Sequence, residues 1–263
     1  MPDSPLTANR FAWNAAAPKF YGRCVLPAWG VFGEGQARPD LIGEIAGKTL
    51  VEIGCGSGHS IQYLLAHGAA KVYGIDFARA QIDFARETNR DAIEAGQVEL
   101  FEAPMEERLA IGPVDTVFSI FALGWTVDLD RTLANVRHYL KPGGRFVFSW
   151  EHPLFAHVGL ETDANTAAVT VQSSYHDEKV SEFTAWNGEQ PVYLCNRKIS
   201  TWFQALRRHQ FEILEFLEPE PEDVPEKYRN PARYYAIQKA RQVPCLLIMV
   251  CQLSTPAPPL MMV

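Results

Sequence analysis

The sequence predicts an α/β fold built on a doubly wound parallel sheet, and three features of one stretch carry that expectation. Residues 49–59 read Thr-Leu-Val-Glu-Ile-Gly-Cys-Gly-Ser-Gly-His, an apolar run that stops at three glycines. Leu50, Val51 and Ile53 suit a strand buried on both faces, while Gly54, Gly56 and Gly58 permit positive φ and a close backbone approach to a ligand. The chain resumes with Ile61, Leu64 and Leu65 on one helical face, so the glycines open onto a helix N-terminus with free N–H groups. A second strand, residues 71–75, then ends at Asp76, about where a doubly wound domain places the carboxylate that binds a ribose diol.

A chain of 263 residues accommodates one decorated α/β domain better than two. Its net charge is −7, its pI is near 5.5, and no Lys/Arg run stands out. These values argue against nucleic acid or an anionic membrane and favour a small-molecule partner. The N-terminal residues lack the basic start and apolar core of an export signal, and no apolar stretch reaches membrane-spanning length. Cys24, Cys55, Cys195, Cys245 and Cys251 are odd in number and not spaced as zinc ligands. The expectation is a cytoplasmic protein without a metal, monomeric or homodimeric.

Two ligand classes fit the glycine turn. A dinucleotide loop carries its third glycine where His59 stands, and Glu52 at the strand end would repel a diphosphate but welcome a sulfonium and an ammonium. The balance moves from a nicotinamide dinucleotide to S-adenosylmethionine. Val-Glu-Ile-Gly-Cys-Gly-Ser-Gly followed by Gly-Ile-Asp resembles the signature of class I, Rossmann-like S-adenosylmethionine-dependent methyltransferases, in the small-molecule branch that includes type 11 and quinone-pathway enzymes. The Leu-Lys-Pro-Gly-Gly turn at residues 140–144 is a second resemblance. The family implies a three-layer, seven-stranded sheet, mostly parallel with one antiparallel strand, an N-terminal helical lid and an insertion after the fifth strand.

Residues 1–40 form the expected lid segment, dense in aromatics from Trp13, Phe20 and Tyr21 to Trp29, and residues 41–263 form the methyltransferase domain. Packing of those rings against the sheet edge is the alternative. Residues 77–95 read as one helix, with Ala78, Ile82, Ala85 and Ile93 inward, and residues 98–101 as the third strand. That strand leads to Ala103 and Met105, where the resemblance puts the adenine ring; Pro104 there cannot donate a backbone bond. Residues 114–121 read as the fourth strand, with Asp115 at its start, and its carboxyl end brings Ser119, Phe121 and Trp125 to the crevice. This segment has no Asn-Pro-Pro-Tyr type sequence, which argues against amino methylation of nucleic-acid bases. Asp128 caps a helix through Leu140, and residues 145–150 form the fifth strand. Residues 152–197 are then the acceptor cap that the family carries there. A helix at 199–209 with Trp202, Phe203 and Leu206 inward, a strand at 211–217, a Pro-rich acidic loop and a strand at 245–253 complete the chain.

The expected cofactor site is therefore Glu52, Gly54, Cys55, Gly56, Gly58, Asp76, Phe77, Ala103, Met105, Ser119 and Phe121. The expected acceptor site is Trp13, Tyr21, Trp29, Trp125, His152 and Tyr193. His152 ends the fifth strand and is the candidate general base, against a reading as a hydrogen-bonded histidine that orients the cap; Tyr175, His176 and Tyr193 are poorer candidates. The activity expected is methyl transfer to a metabolite or natural-product intermediate with an aromatic or heterocyclic part. A nicotinamide-dependent oxidoreductase and a non-catalytic S-adenosylmethionine-binding protein remain the alternatives.

Overall fold

The computed structural model describes residues 4–22, 27–162, 167–184, 191–222 and 224–255, with only the backbone described at 34 and 35. The N-terminal helix α1 spans Pro5–Phe20, capped by the Ser4 hydroxyl. The first unit follows as β1 (Thr49–Ile53), α2 (His59–Ala66) and β2 (Lys71–Asp76). Then come α3 (Arg79–Thr88), α4 (Arg90–Glu94), β3 (Val98–Glu102), β4 (Val114–Ser119), α5 (Leu129–Tyr139) and β5 (Leu140–Glu151). The insertion supplies β6 (Val158–Thr162), β7 (Ala167–Val171), β8 (Val180–Thr184) and β9 (Pro191–Cys195). The chain closes with α6 (Ile199–Arg208), β10 (Phe211–Leu217), α7 (Ile237–Ala240) and β11 (Leu246–Leu253).

Seven strands form one sheet in the order β10-β11-β5-β4-β1-β2-β3. All neighbours are parallel except that β11 runs against both β5 and β10. The expected seven-stranded, three-layer fold is the fold observed. Val51, Ile53, Val117 and Phe148 enter the core on one face, and Leu50, Phe118, Val147 and Val250 on the other. The order reverses between β1 and β4, which puts a crevice at their carboxyl ends.

Several local readings change. The helix expected over 77–95 is broken at Asn89, whose buried side chain donates to the carbonyls of Ala85 and Gly58 and so ties the glycine turn to α3. The fifth strand starts at Leu140 rather than Arg145, because Leu140 pairs with Val114 across a register shift and the glycine turn is folded into the strand. Phe203, expected inward, is 50% exposed, while Trp202 and Leu206 are buried. The insertion is two antiparallel hairpins, β6-β7 and β8-β9. Arg197, just after β9, donates to the carbonyls of Thr126 (2.7 Å) and Gly124 (3.5 Å) and thereby pins the second hairpin to the turn carrying Trp125.

Candidate functional site

The crevice is organised by Asp76. The Gly54 and Cys55 N–H groups both donate to the Ile75 carbonyl (2.7 and 3.0 Å), which folds the glycine turn back over β2. Gly56 N–H then reaches Asp76 Oδ2 at 3.0 Å, and Ala78 N–H reaches Oδ1 at 2.9 Å. The Asp76 carbonyl accepts from Ala103 N–H at 3.0 Å, which brings the end of β3 alongside. A carboxylate offers about four lone-pair sites, and these backbone bonds leave acceptor capacity for donors in the crevice. Burial pushes the Asp76 carboxyl up to about 6, against the pull of its backbone N–H bonds.

These residues wall a cleft that encloses about 630 Å³ of empty space, part of it open to solvent. Gly54, Gly56, Asp76, Phe77, Ala103 and Met105 line it together with Phe121, Ala122, Trp125 and Trp13. A Cβ on Gly54, which has φ +73°, would stand 2.2 Å from the Ala122 Cβ, so only glycine lets the two strand ends approach this closely. The Gln81 Oε1 is buried without a partner among the described residues and lies on the wall near Gly56. Such an acceptor calls for a donor on the ligand.

Part of the wall is aromatic. Trp125 meets Trp13 edge to face at 5.5 Å and Trp150 at 5.9 Å, and Phe121 lies 5.2 Å from Trp150. Phe121 has φ +49°, a backbone cost of about 1–2 kcal/mol for a residue with a Cβ. Helix α1 contributes Leu6 and Trp13 to the cleft wall. Asn9 holds it to β9 by bonding both the N–H and the carbonyl of Tyr193, and Asn14 Oδ1 accepts from Ala80 N–H at the start of α3.

The structure does not bring every expected residue to the cleft. Glu52 is 2% exposed beneath the turn, where its Oε1 accepts from the Ser60 hydroxyl and burial pushes its carboxyl up to about 8. Glu52 is not on the cleft wall and does not present its carboxylate to the cleft. Cys55 is a buried space-filler against Gly74, and Gly58 makes room for Ala85 and Asn89. Ser119 is fully buried and bonds the Ile53 carbonyl. Trp29 is 0% exposed, its indole N–H bonded to the Arg38 carbonyl, so the packing reading holds there. Tyr21 lies outside the cleft walls against His59 and Phe84, and Tyr193 pairs with Glu182 on its hairpin. Tyr175 and His176 also fall outside those walls, the Tyr175 hydroxyl accepting from Ile199 N–H.

His152 is the main correction. It is 3% exposed, its Nδ1 accepts from Leu154 N–H, and its Nε2 stands 2.8 Å from Glu218 at the end of β10. Desolvation pulls its pKa down while Glu218 opposes that shift. It is a bonded histidine that is not among the residues walling the cleft, as the alternative reading of it expects. His152→Gln should therefore leave cofactor affinity within about two-fold of wild type and cost about 1–2 kcal/mol of stability, measured by calorimetry and thermal unfolding.

The sequence reading passed over Leu6, Asn14, Gln81, Asn89 and Glu106. Glu106, on the cleft wall, accepts from the Thr126 hydroxyl and Val127 N–H, both at 2.7 Å. Glu151 was also missed. It is buried behind Phe121, where it accepts from the Tyr234 hydroxyl, with the Lys239 ammonium packed over Phe155 and Tyr234. Alternation along β5 puts Glu151 and His152 on opposite faces, a signal present in the sequence.

Residues 51–146 match the family model of a methyltransferase domain. Those residues are a methyltransferase domain, and the fold around them is that of S-adenosylmethionine-dependent methyltransferases. Its structure superposes on that of the S-adenosylmethionine-dependent methyltransferase from Mesorhizobium loti with a TM-score of 0.66 at 26% identity, covering 81% of this chain and 94% of the other. The chain is also 34% identical over 104 residues to an S-adenosyl-L-methionine-dependent Diels-Alderase of Talaromyces variabilis, covering 38% of its own length and 35% of the relative's. It is 31% identical over 106 residues to an O-methyltransferase of Aspergillus sclerotiorum, covering 40% of each chain. The chain thus matches two fifths or less of the length of these two relatives.

The cofactor of the methyltransferase is S-adenosylmethionine, and the residues present fit it. The glycine turn leaves space for the backbone to approach the ligand, Asp76 retains acceptor capacity for hydroxyl donors, and the Gln81 oxygen awaits a donor.

Proposed function

We propose that the protein transfers the methyl group of S-adenosylmethionine to a small natural-product or metabolite acceptor with an aromatic or heterocyclic part. The observation that carries this reading is one cleft lined both by Gly54, Gly56 and Asp76 and by the aromatic rings of Trp13, Phe121 and Trp125. In this reading Asp76 takes the ribose hydroxyls, Phe77, Ala103 and Met105 flank the adenine, and the glycines pass close to the methionine part. The acceptor packs between the indoles and Phe121.

The transfer is a direct displacement. The acceptor's lone pair forms the new bond to the methyl carbon, and the carbon–sulfur bond breaks with its electrons remaining on sulfur. Aligning the two partners and excluding water can supply about 7–11 kcal/mol. The titratable side chains on the wall are Asp76 and Glu106, each already accepting hydrogen bonds from the protein. Alignment by the aromatic walls is accordingly the main source of rate, with an acceptor that reaches the cleft already nucleophilic.

Helix α1 acts as the lid in this reading, whereas the segment behind it does not. Deleting residues 1–20 should leave a cooperatively folding protein whose cofactor affinity is at least ten-fold weaker. A deletion through residue 30 also removes Trp29 from the core and should cost about 3–5 kcal/mol more. Calorimetry and thermal unfolding of the two truncations check both values.

The test of the function is calorimetry with S-adenosylmethionine, S-adenosylhomocysteine and NADH, followed by labelled-methyl transfer into extract metabolites. Binding of NADH alone would overturn the cofactor assignment. The similarity to a Diels-Alderase favours a second reading in which the cofactor is bound without being consumed. Acceptor turnover without S-adenosylhomocysteine would establish that alternative.

A further inference from the structure

Three polar contacts hold α1 over the cleft, and they differ in one respect. Asn9 to β9 and Asn14 to α3 are amide contacts that do not titrate. The third joins the end of α1 to the glycine turn: Gly22 N–H donates to His59 Nε2 at 2.6 Å. His59 is the first residue of α2, directly after Gly58, and the Tyr21 ring covers it at 5.3 Å while packing on Phe84 of α3 at 4.6 Å. One side chain thus touches both the glycine turn and the helix that contributes Leu6 and Trp13 to the cleft wall.

We propose that His59 is the positioning residue that latches α1 over the cofactor cleft, its Nε2 accepting the Gly22 amide only while the imidazole is neutral. An amide N–H can only donate, so the latch requires the tautomer with its proton on Nδ1, an atom buried without a partner among the described residues. A second proton on Nε2 would set two donors face to face and break the contact. The site also disfavours the cation: burial lowers the histidine pKa, and a positive charge at a helix N-terminus opposes the partial charge there. The groups around the ring do not offset this. Tyr21 is the titratable side chain against it, and Tyr63, one turn along α2, is stacked with His67. Lys19 lies in the last turn of α1, and on α3 Arg79 and Arg86 are paired with Asp83. The latched form binds fewer protons, so its advantage is complete above the ordinary histidine value of about 6.5 and declines as pH falls below it.

This inference rests on the cofactor reading of the cleft, and the test separates the two. S-adenosylhomocysteine affinity is measured by calorimetry from pH 5 to 8.5 for wild type, His59→Gln and His59→Ala. Glutamine keeps an acceptor for Gly22 but cannot titrate. The Gln variant should bind within about three-fold of wild type at pH 8, and Ala should bind at least five-fold more weakly. Between pH 7.5 and 5.5 wild type should lose about ten-fold more affinity than Gln, the contribution of Asp76 being common to both. Superimposable wild-type and Gln profiles would overturn the latch while leaving the cofactor site intact. Absence of binding to wild type at pH 8 would instead overturn the cofactor reading. The latch is also read without any ligand, from the ¹⁵N shifts of His59. A neutral ring protonated on Nδ1 supports it, and a ring protonated on Nε2 refutes it.

Discussion

Asp76→Ala should weaken S-adenosylmethionine binding by at least about 100-fold, which is the loss of two charge-assisted hydrogen bonds of about 1.5–3 kcal/mol each. The effect is amplified because the same carboxylate accepts the Gly56 and Ala78 N–H groups that shape the turn. Asp76→Asn keeps one acceptor oxygen and should lie between Ala and wild type. The carboxyl of the ligand-free protein is pushed up to about 6 by burial. The bound cofactor, with two hydroxyl donors and a sulfonium, favours the ionised form. Affinity should thus be full above about pH 6 and fall as the pH drops through it, and Asp76→Asn should abolish this component. Calorimetric titration over pH 5–8 measures both effects, and an Ala variant that folds and binds normally would remove Asp76 from the site.

Gly54→Val should abolish measurable cofactor binding. Its Cβ would fall 2.2 Å from the Ala122 Cβ at a φ of +73°, so a β-branched side chain meets both a steric and a conformational barrier. The strand ends would have to separate, and the cleft between them would lose its shape. Gly47→Ala is the matching control: its φ is +72°, but nothing lies within 4 Å of the added carbon. That variant should cost about 1–2 kcal/mol of stability and leave affinity unchanged. Equal binding losses in the two variants would mean that backbone strain, rather than the close approach at Gly54, explains the first.

Near-neighbour patterns in the sequence marked the strands, and the family resemblance supplied their arrangement in the sheet. β1, the glycine turn and α2 are encoded within eighteen residues, Thr49–Ile53 and His59–Ala66 with the turn between them, and apolar content and glycine positions record that unit without reference to the rest of the chain. The same holds for Asp128, which caps α5 by accepting from Arg131 N–H, and for the antiparallel strand β11. The side chains that meet in the cleft were only partly legible. Gly54, Asp76 and Phe121 reach it because they end strands beside the reversal in sheet order, a property of the βα repeat itself.

Trp13 and Trp29 are sixteen positions apart in one aromatic segment and indistinguishable by composition, yet one lines the cleft and the other is sealed in the core. His152 likewise has the strand-end position of a base, but Glu218, sixty-six residues later, stands at its Nε2. His59 reads as an ordinary first residue of a helix until Gly22 is brought to its ring. Periodicity specifies which side of its own element a residue occupies. The occupant of that side is set by segments packed from elsewhere in the chain, and in this protein those contacts separate the cleft residues from the buried ones.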